Sequence, residues 1–392
     1  MLFPDAQRTL QQFLAPLTLD EFLDRTLQGG VCRVDGAGGA WRATLLGPDP
    51  QALLAAAVHL APKLTFHSAN PLGSPPALEA VTDAGDFRRR IEEFHARNYS
   101  VRFPELRPLS PPLAELARAL EMLLHQPVTT SAFWSRGGMR APVHYDDHDL
   151  LVVQLTGEKR WYVASGPSEL PNVWRNAPAG VELGAHESFD VRPGDLVYLP
   201  RGTLHSVDSA GESLHLSIGF TPLTVRELVI AALDQLADVD RTLRVTAGAR
   251  LAFALRGAGV ERLAPPLLAA LERLGAALRT PGFLGAALQL RSTRVVATLA
   301  ALPVETVGPA PALDTELVQA PLALCHLTGN AEKIDFCYPG GHVHLHRGVE
   351  QSLLYMVNTP RFRVRDIPGE ISDEVRLSLA ARLLEIGFLK PG

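Results

Sequence analysis

The sequence predicts an α+β protein built around a jelly-roll barrel, or double-stranded β-helix, with helices before and after it. Short apolar and β-branched runs alternate with glycine and proline in residues 106–223, as closely spaced strands of a barrel do. Helical periodicity dominates residues 224–319, and a hairpin-like segment with two helical runs occupies residues 320–392. The chain of 392 residues exceeds one ordinary domain, and with residues 1–105 we divide it into four regions.

The composition is that of a folded protein and argues against several classes of partner. Hydrophobic residues make up 46% of the chain, and the net charge of −5 disfavours general affinity for nucleic acid or anionic membranes. The three cysteines are scattered without a Cys-x-x-Cys motif, which predicts a reducing, cytoplasmic setting. The first residues lack a signal-peptide pattern and the long apolar stretches carry charges, so we expect no membrane span.

Residues 1–105 mix helical patterns with loops and are expected to support the barrel. Helical periodicity covers residues 17–24 and 51–58, and Thr18 before two acidic residues is typical of a helix start. The run 70–77, rich in proline, glycine and serine, predicts a loop.

The barrel region opens with one helix at residues 113–124 and continues as strands. Each predicted strand is a short apolar run bounded by turn residues. The runs cover residues 150–155, 160–164, 195–199 and 214–220.

The two later regions are predicted from helical periodicity and from residues typical of helix ends. One helix face is marked by Leu228, Ala231, Ala232 and Leu236. This much apolar helical surface is compatible with a subunit interface. The last helix is expected to begin after Ser372 and to end at Gly387, and the mixed content of residues 320–392 is consistent with a winged-helix module.

One stretch in the barrel region has the spacing of a metal-binding jelly roll. This stretch reproduces the second cupin motif: Gly194, then five residues, Pro200, one residue, Gly202, two residues and His205. The glycines and the proline predict turns that bring the chain back on itself. We therefore expect His205 to face an earlier strand of the barrel.

The earlier stretch supplies the other two candidate ligands. Gly138, five residues and His144-x-Asp146 fit the first cupin motif, and on a strand residues two apart share one face. Two imidazoles and one carboxylate without a thiolate favour Fe(II), with Mn or Co as substitutes, over a structural zinc site. Such a set leaves half of an octahedron open. His148, two residues further, is expected to line the pocket or the surface.

A lysine beyond the first motif suggests what occupies the open positions. Lys159 follows Gly157 on the next predicted strand, where alternation places it on one face with Trp161 and places Arg160 on the other. An inward lysine is costly unless it meets an anion, so Lys159 is a candidate anchor for the carboxylate of 2-oxoglutarate, a common source of electrons for such iron sites. A solvated hairpin lysine is the alternative.

Four runs together resemble one known family: residues 141–147, 153–161, 193–205 and 213–218. They are similar to the JmjC-type 2-oxoglutarate oxygenases, specifically to the ribosomal oxygenase branch, the cupin-4 group. The order of regions also matches that branch, which has a catalytic barrel, a helical dimerisation segment and a C-terminal winged-helix-like domain. The resemblance thus implies a homodimer.

The resemblance also implies roles for single residues. The implied iron ligands, which are also the catalytic residues, are His144, Asp146 and His205. Lys159 is implied to bind the distal carboxylate of 2-oxoglutarate, and Ser217 to line the cosubstrate pocket. His215 supports the site or is a buried structural histidine.

These inferences predict an Fe(II)- and 2-oxoglutarate-dependent dioxygenase. The family resemblance implies hydroxylation of an amino-acid side chain in a protein or peptide, with ribosomal proteins as the precedent. The alternatives are hydroxylation of a small peptide or metabolite and demethylation of an N-methyl group. A non-catalytic cupin whose winged helix binds a partner is the alternative from another class.

A second group of histidines lies near the C-terminal end of the sequence. His342, His344 and His346 alternate along one predicted strand after Pro339-Gly-Gly. No carboxylate or cysteine is expected close enough to complete a metal site, so we interpret this group as a polar sheet face.

Overall fold

The computed structural model describes residues 4–36, 39–77, 81, 83–166, 170, 180–221, 223–245, 264–301 and 310–392. Within them the α-helices are α1 (Pro4–Leu14), α2 (Leu19–Gln28), α3 (Ala40–Ala43), α4 (Pro50–Ala56), α5 (Ala84–Ala96), α6 (Pro111–Leu124), α7 (Val225–Val239), α8 (Ala264–Leu278), α9 (Phe283–Thr298), α10 (Glu350–Asn358) and α11 (Asp373–Glu385). The β-strands are β1 (Cys32–Val34), β2 (Thr65–His67), β3 (Ser100–Pro104), β4 (Val128–Ser135), β5 (Met139–Arg140), β6 (Asp149–Thr156), β7 (Lys159–Ala164), β8 (His186–Val191), β9 (Leu196–Leu199), β10 (His205–Ser209), β11 (Ser213–Phe220), β12 (Glu316–Gln319), β13 (His326–Gly329), β14 (Lys333–Tyr338), β15 (Gly341–His346), β16 (Arg361–Arg363) and β17 (Leu389–Pro391).

The helix start predicted at Thr18 is confirmed. The Thr18 hydroxyl accepts a hydrogen bond from the Glu21 backbone N–H at 3.2 Å, and the Glu21 carboxylate accepts one from the Thr18 N–H at 2.8 Å. Gly29 ends α2 in the left-handed conformation. This reciprocal cap and the terminal glycine are local signals, so the sequence alone sets both ends of the helix.

The barrel consists of two antiparallel sheets. Within the described residues the larger sheet has the order β1-β9-β6-β11-β4-β3-β2 and the smaller one β5-β10-β7-β8. Their inner faces meet in one apolar cluster, to which the larger sheet contributes Val152 and Val197 and the smaller sheet Trp161, Phe189 and Val207. The four strands predicted from apolar runs are confirmed as β6, β7, β9 and β11.

The outer face of the larger sheet is covered by the N-terminal helices. Leu151, Val153 and Leu155 of β6 belong to the same buried cluster as Leu10 of α1 and Leu116 of α6. Because both faces of β6 are buried, its sequence is an almost unbroken apolar run and does not alternate between apolar and polar residues. The helices α1 and α6 thus pack against the barrel, while the role of residues 1–105 as a supporting region stays a prediction.

A small helical cluster follows the barrel. Ala232 and Leu236 of α7 pack with Leu274 of α8, and α7 begins with a reciprocal cap between Thr224 and Glu227. None of the described helices is long and apolar enough to cross a membrane.

The C-terminal region has a hydrophobic core of its own. Ile334 and Phe336 of β14 pack with Leu353 of α10 and Leu383 of α11 in this core. The predicted hairpin is confirmed as β14–β15, and the predicted last helix as α11, with the Ser372 hydroxyl accepting from Val375 N–H. The winged-helix assignment and the four-region division stay predictions.

Candidate metal centre and cosubstrate pocket

The turn before β9 is held in place by contacts with the N-terminal segment. Gly194 has a φ of +89°, and a Cβ there would lie 2.8 Å from the carbonyl oxygen of Gly39. The buried guanidinium of Arg42 donates to the Gly194 carbonyl at 2.7 Å and to the Phe13 carbonyl at 2.9 Å. Glycine is therefore required by both the backbone angle and the close approach of the N-terminal segment.

The turn before β10 is tied to the start of β6. The buried Asp149 carboxylate accepts from Tyr198 Oη at 2.8 Å and from the Arg201 N–H at 2.9 Å, and burial raises the pKa of Asp149. Gly202, with a φ of +77°, donates its N–H to the Asp146 carbonyl at 2.8 Å. These bonds bring the segment that precedes His205 against the segment that holds Asp146.

The three predicted ligands come together. One ligand atom each of His144, Asp146 and His205 lies within 4.8 Å of the others, and we call these residues the barrel triad. His144 N–H donates to the His205 carbonyl at 3.1 Å, and His205 N–H donates to the His144 carbonyl at 2.8 Å. The prediction that His144 and Asp146 share a strand face is wrong, because His144 forms only this isolated bridge and Asp146 lies in the loop before β6.

The imidazoles are oriented for metal binding. His144 Nδ1 is 2.8 Å from the Pro142 carbonyl and His205 Nδ1 is 2.9 Å from the Thr203 carbonyl, so each Nδ1–H donates and each Nε2 keeps its lone pair. Burial, and next the nearby His144, lower the pKa of His205. A neutral buried imidazole is the form that binds a cation.

Lys159 points into the barrel, as the alternation predicted. Its side chain is 1% exposed, and Nζ donates to the Phe133 carbonyl at 3.1 Å, Ser135 Oγ at 3.0 Å and His215 Nδ1 at 3.0 Å. Burial lowers the pKa of Lys159 to about 7, and no acidic group of the described chain offsets it. A buried ammonium without a carboxylate partner is suited to receive an anion.

Trp161 places an unused donor between Lys159 and the barrel triad. Its ring stacks on His205 with centroids 5.6 Å apart and lies 5.6 Å from the ring of His215. The buried Nε1–H has no hydrogen-bond partner among the described residues. A buried indole N–H normally finds an acceptor, so this donor indicates a position for a ligand oxygen.

The remaining predicted residues have different surroundings. Ser217 is buried on β11, two residues from His215 on the same strand face. His215 is neutral, since burial and Lys159 lower its pKa. His148 lies outside the barrel triad; a Cβ on Gly219 would lie 2.5 Å from its ring, so it covers the inner face of β11, in agreement with the predicted pocket-lining role.

Two residues that sequence patterns do not reveal also reach the site. Arg102 lies over Phe133, 5.9 Å from the ring centroid, and the His67 ring is 6.0 Å from the same ring. Burial lowers the pKa of Arg102 and the Asp146 carboxylate partly offsets this, so the guanidinium is within electrostatic reach of the barrel triad. Pairing of β2 with β3 and of β3 with β4 brings both residues here.

Comparison with known proteins identifies the barrel. Residues 110–228 match the model of the JmjC domain. This barrel is a JmjC domain. The match includes the barrel triad, Lys159 and Ser217, and it confirms the family resemblance of the sequence.

Curated proteins similar to the chain are named as an oxygenase and as a demethylase and hydroxylase. Ribosomal oxygenase 2 of Bos taurus is 30% identical over 200 residues, which are 50% of this chain and 41% of that protein. The bifunctional lysine-specific demethylase and histidyl-hydroxylase NO66 of Drosophila persimilis is 37% identical over 79 residues, 19% of this chain and 11% of that protein. The chain thus spans less than half the length of these relatives.

The overall fold is similar to that of a solved protein. The structure of Escherichia coli ycfD aligns with a TM-score of 0.54 at 16% identity and covers 96% of this chain and 98% of that one. Another structure of that protein, described as a ribosomal oxygenase in complex with cobalt and succinic acid, aligns with a TM-score of 0.50 at 16% identity. The similarity shows a shared fold over nearly the whole chain, including the helices and sheets after the JmjC domain.

Proposed function

We propose that this protein is an Fe(II)- and 2-oxoglutarate-dependent dioxygenase that hydroxylates an amino-acid side chain of a protein or peptide. The observation that carries the proposal is an open set of two histidines and one carboxylate next to a buried lysine that no acidic group of the described chain neutralises. Both the ligand set and the unpaired cation fit this chemistry, since Fe(II) takes the first and a dicarboxylate the second.

The barrel triad fits the metal by its donor types. Two neutral imidazoles and one carboxylate bind Fe(II) on one face and leave coordination positions for a bidentate cosubstrate and dioxygen. When bound, the ion supplies the dioxygen chemistry, and 2-oxoglutarate supplies the additional two electrons. The carbonyls of Pro142 and Thr203 hold the two rings in the binding tautomer.

The groups beside the triad fit the cosubstrate. In the bound state the ammonium of Lys159 meets the distal carboxylate, and the pKa of the lysine returns toward its usual range. The Nε1–H of Trp161 donates to a cosubstrate oxygen, and Ser217 lines the same inner face. His215 acts as a positioning residue, because its Nδ1 accepts one of the N–H groups of Lys159 at 3.0 Å.

The inner barrel also keeps water away from these groups. Val152, Val197 and Val207 are buried between the two sheets beside Trp161. In such a low-dielectric pocket the attraction between Lys159 and a carboxylate is stronger than in water.

The similar proteins support this reading without identifying the substrate. The Escherichia coli protein of the same fold is described as a ribosomal oxygenase and was solved with cobalt and succinic acid. Ribosomal oxygenase 2 is the name of the bovine relative, so ribosomal proteins are the first substrates to test. At the site, Arg102 and His67 beside Phe133 offer polar and aromatic contacts for a peptide side chain.

Demethylation is the second candidate, favoured by the Drosophila relative that is named both a lysine demethylase and a histidyl hydroxylase. Hydroxylation of an N-methyl carbon gives formaldehyde, so the same site serves both reactions. A non-catalytic role fits less well, because the triad, the lysine and the unused tryptophan donor are all present.

We also propose that the protein is a cytoplasmic homodimer. Three leucines on α8 are more than half exposed, Leu267, Leu268 and Leu271, and Leu278 follows on the same helix at 46%. All three cysteines are free, which suits a reducing compartment. Sedimentation velocity should show a dimer that Leu268→Asp with Leu271→Asp dissociates, while Leu354→Asp on α10 leaves it intact.

The function is tested with purified protein, Fe(II), ascorbate and 2-oxoglutarate. Succinate should form, faster with the true substrate, and mass spectrometry of ribosomal proteins and peptides should show a mass increase of one oxygen atom. A formaldehyde signal in place of that increase would support demethylation. If no succinate forms with any metal-loaded preparation, the oxygenase proposal fails.

A further inference from the structure

A second cluster of two histidines and one carboxylate lies on the β14–β15 hairpin. In the register of the two strands Asp335 is directly opposite His344, and His342 is its diagonal neighbour on the same face. The prediction that no carboxylate lies close to these histidines is therefore wrong. Alternation along each strand and the register between them place all three side chains together. We call Asp335, His342 and His344 the hairpin cluster.

The distances in the hairpin cluster match those of a coordination sphere. Oδ1 of Asp335 is 3.0 Å from Nδ1 of His342 and 3.4 Å from Nδ1 of His344. Ligands bound to zinc at about 2.0–2.1 Å in a tetrahedron are about 3.3 Å apart. One ligand atom of each residue lies within 4.8 Å of the others, so small rotations of exposed rings suffice to close the site.

The hairpin holds the cluster on a fixed support. Ile334 and Phe336 alternate with Asp335 on β14 and are buried on the opposite face in the C-terminal core. Gly340, with a φ of +97°, closes the turn that sets the register. Backbone positions of the three ligands are thus fixed before an ion arrives, which reduces the entropy lost on binding.

The cluster is open to solvent on its outer side. The side chains of His342 and His344 are 52% and 60% exposed, so an ion can enter and keep bound water. Cys337 lies opposite His342 and is buried. The ligand atoms that lie within 4.8 Å of one another belong to Asp335, His342 and His344, so the donor set is two nitrogens and one oxygen.

We propose that Asp335, His342 and His344 form a second metal site that binds a divalent transition ion of the zinc class, independently of the barrel triad. Two imidazoles and one carboxylate suit Zn(II), with Co(II) or Ni(II) as substitutes, and water fills the remaining positions. The ion replaces the proton that links His342 to Asp335 and cross-links β14 to β15.

The stoichiometry of Zn(II) bound to the full-length protein tests this site. Metal-free protein is dialysed against Zn(II), and bound metal is measured by elemental mass spectrometry. The wild-type chain should retain two ions and the His144→Ala/Asp146→Ala variant one. The His342→Ala/His344→Ala variant should also retain one, and the combined variant none. Loading the His144→Ala/Asp146→Ala variant with Co(II) should give a visible absorption band that Asp335→Asn removes.

His346→Ala is the matched control. His346 is on the same strand face, but its Nδ1 accepts from the Gly348 N–H at 3.0 Å and it is outside the cluster, so this variant should bind as the wild type does. The site is overturned if the His144→Ala/Asp146→Ala variant binds no Zn(II), or if its binding survives His342→Ala/His344→Ala. If His346→Ala lost as much bound Zn(II) as His342→Ala/His344→Ala does, the binding would be only adventitious surface binding. Succinate formation by His342→Ala/His344→Ala should be unchanged, so this outcome is independent of the oxygenase proposal.

Discussion

The protein contains two clusters of the same donor types in opposite surroundings. The barrel triad draws His144, Asp146 and His205 from segments that are about sixty residues apart in the chain, and the side chain of His205 is 5% exposed. The hairpin cluster comes from ten consecutive residues, and His344 is 60% exposed. Identical ligands can thus be assembled either by local strand register or by the closure of a barrel.

The groups that surround the two clusters differ, because one cluster is enclosed by a barrel and the other is exposed. Next to the barrel triad lie Lys159 without an acidic partner, the unused donor of Trp161, and an apolar lining between two sheets. Next to the hairpin cluster lie solvent and the thiol of Cys337. Holding an ion requires only the ligands, whereas directing an ion's chemistry at a second bound molecule requires a pocket that excludes water.

The largest expected difference between the clusters is in catalysis. Replacing groups that only support metal ligands costs about 10- to 100-fold, so His205→Ala should lower succinate formation by more than about 100-fold. His344→Ala should leave the rate unchanged. Both are measured as succinate formed at saturating Fe(II) and 2-oxoglutarate. Equal activity of the wild type and His205→Ala would contradict the assignment of the barrel triad.

The next effect tests the anion site that distinguishes the barrel. Lys159→Met should raise the KM for 2-oxoglutarate about 10- to 100-fold, because a hydrogen-bonded charge contributes about 1.5–3 kcal/mol. The free energy of unfolding should change little, because removing a desolvated charge offsets the loss of its hydrogen bonds. Arg160→Met is the control, because Arg160 lies on the opposite face, 3.6 Å from Asp190. An unchanged KM for Lys159→Met would place the anchor elsewhere.

The same lysine predicts a pH dependence of stability. Folded Lys159 loses its proton near pH 7, whereas the unfolded side chain keeps it until its usual 10.5. Between these values the unfolded state binds more protons, so the free energy of unfolding rises with pH, by at most about 1.4 kcal/mol per unit. Below pH 7 both states are protonated and the contribution is constant. Urea unfolding from pH 6 to about 9 should show this rise in the wild type but not in Lys159→Met. If the free energy of unfolding depended on pH in the same way in both proteins, the prediction would be wrong.

A smaller effect tests the second donor of the pocket. Trp161→Phe keeps an aromatic ring beside His205 and removes the Nε1–H, so the KM for 2-oxoglutarate should rise about 2- to 10-fold with kcat nearly constant. Trp134→Phe is the control, since its Nε1–H donates to Glu212 at 2.9 Å and should affect stability rather than KM. A fall in kcat alone for Trp161→Phe would point to a role in packing.

The smallest expected effect is on the stability of the metal-free protein when the hairpin cluster is changed. His344→Ala should change the free energy of unfolding by less than about 0.5 kcal/mol, as exposed substitutions usually do. Its effect on urea unfolding should appear only with Zn(II) present, because a ligand that binds the folded state stabilises it. A large effect without metal would indicate that the Asp335–His344 contact itself stabilises the hairpin.

The sequence determined those features whose causes are local. Gly194 and Gly202 require positive φ angles, so their spacing to His205 predicted the turns of the metal motif. Alternation predicted that Lys159 faces inward. Helix ends at Thr18 and Ser372 followed from capping side chains. Each of these signals acts over about twelve residues or fewer, within the range of turn and periodicity rules.

The tertiary structure decided every contact that depends on register or on pairing between distant strands. Asp146 joins the triad through a loop bonded to Gly202, and Arg102 reaches the site only because β3 pairs with β4. Even in the hairpin, the approach of Asp335 to His344 required the register across the turn. A periodic pattern sets the face on which a side chain lies, but it carries no information about which strand becomes its neighbour.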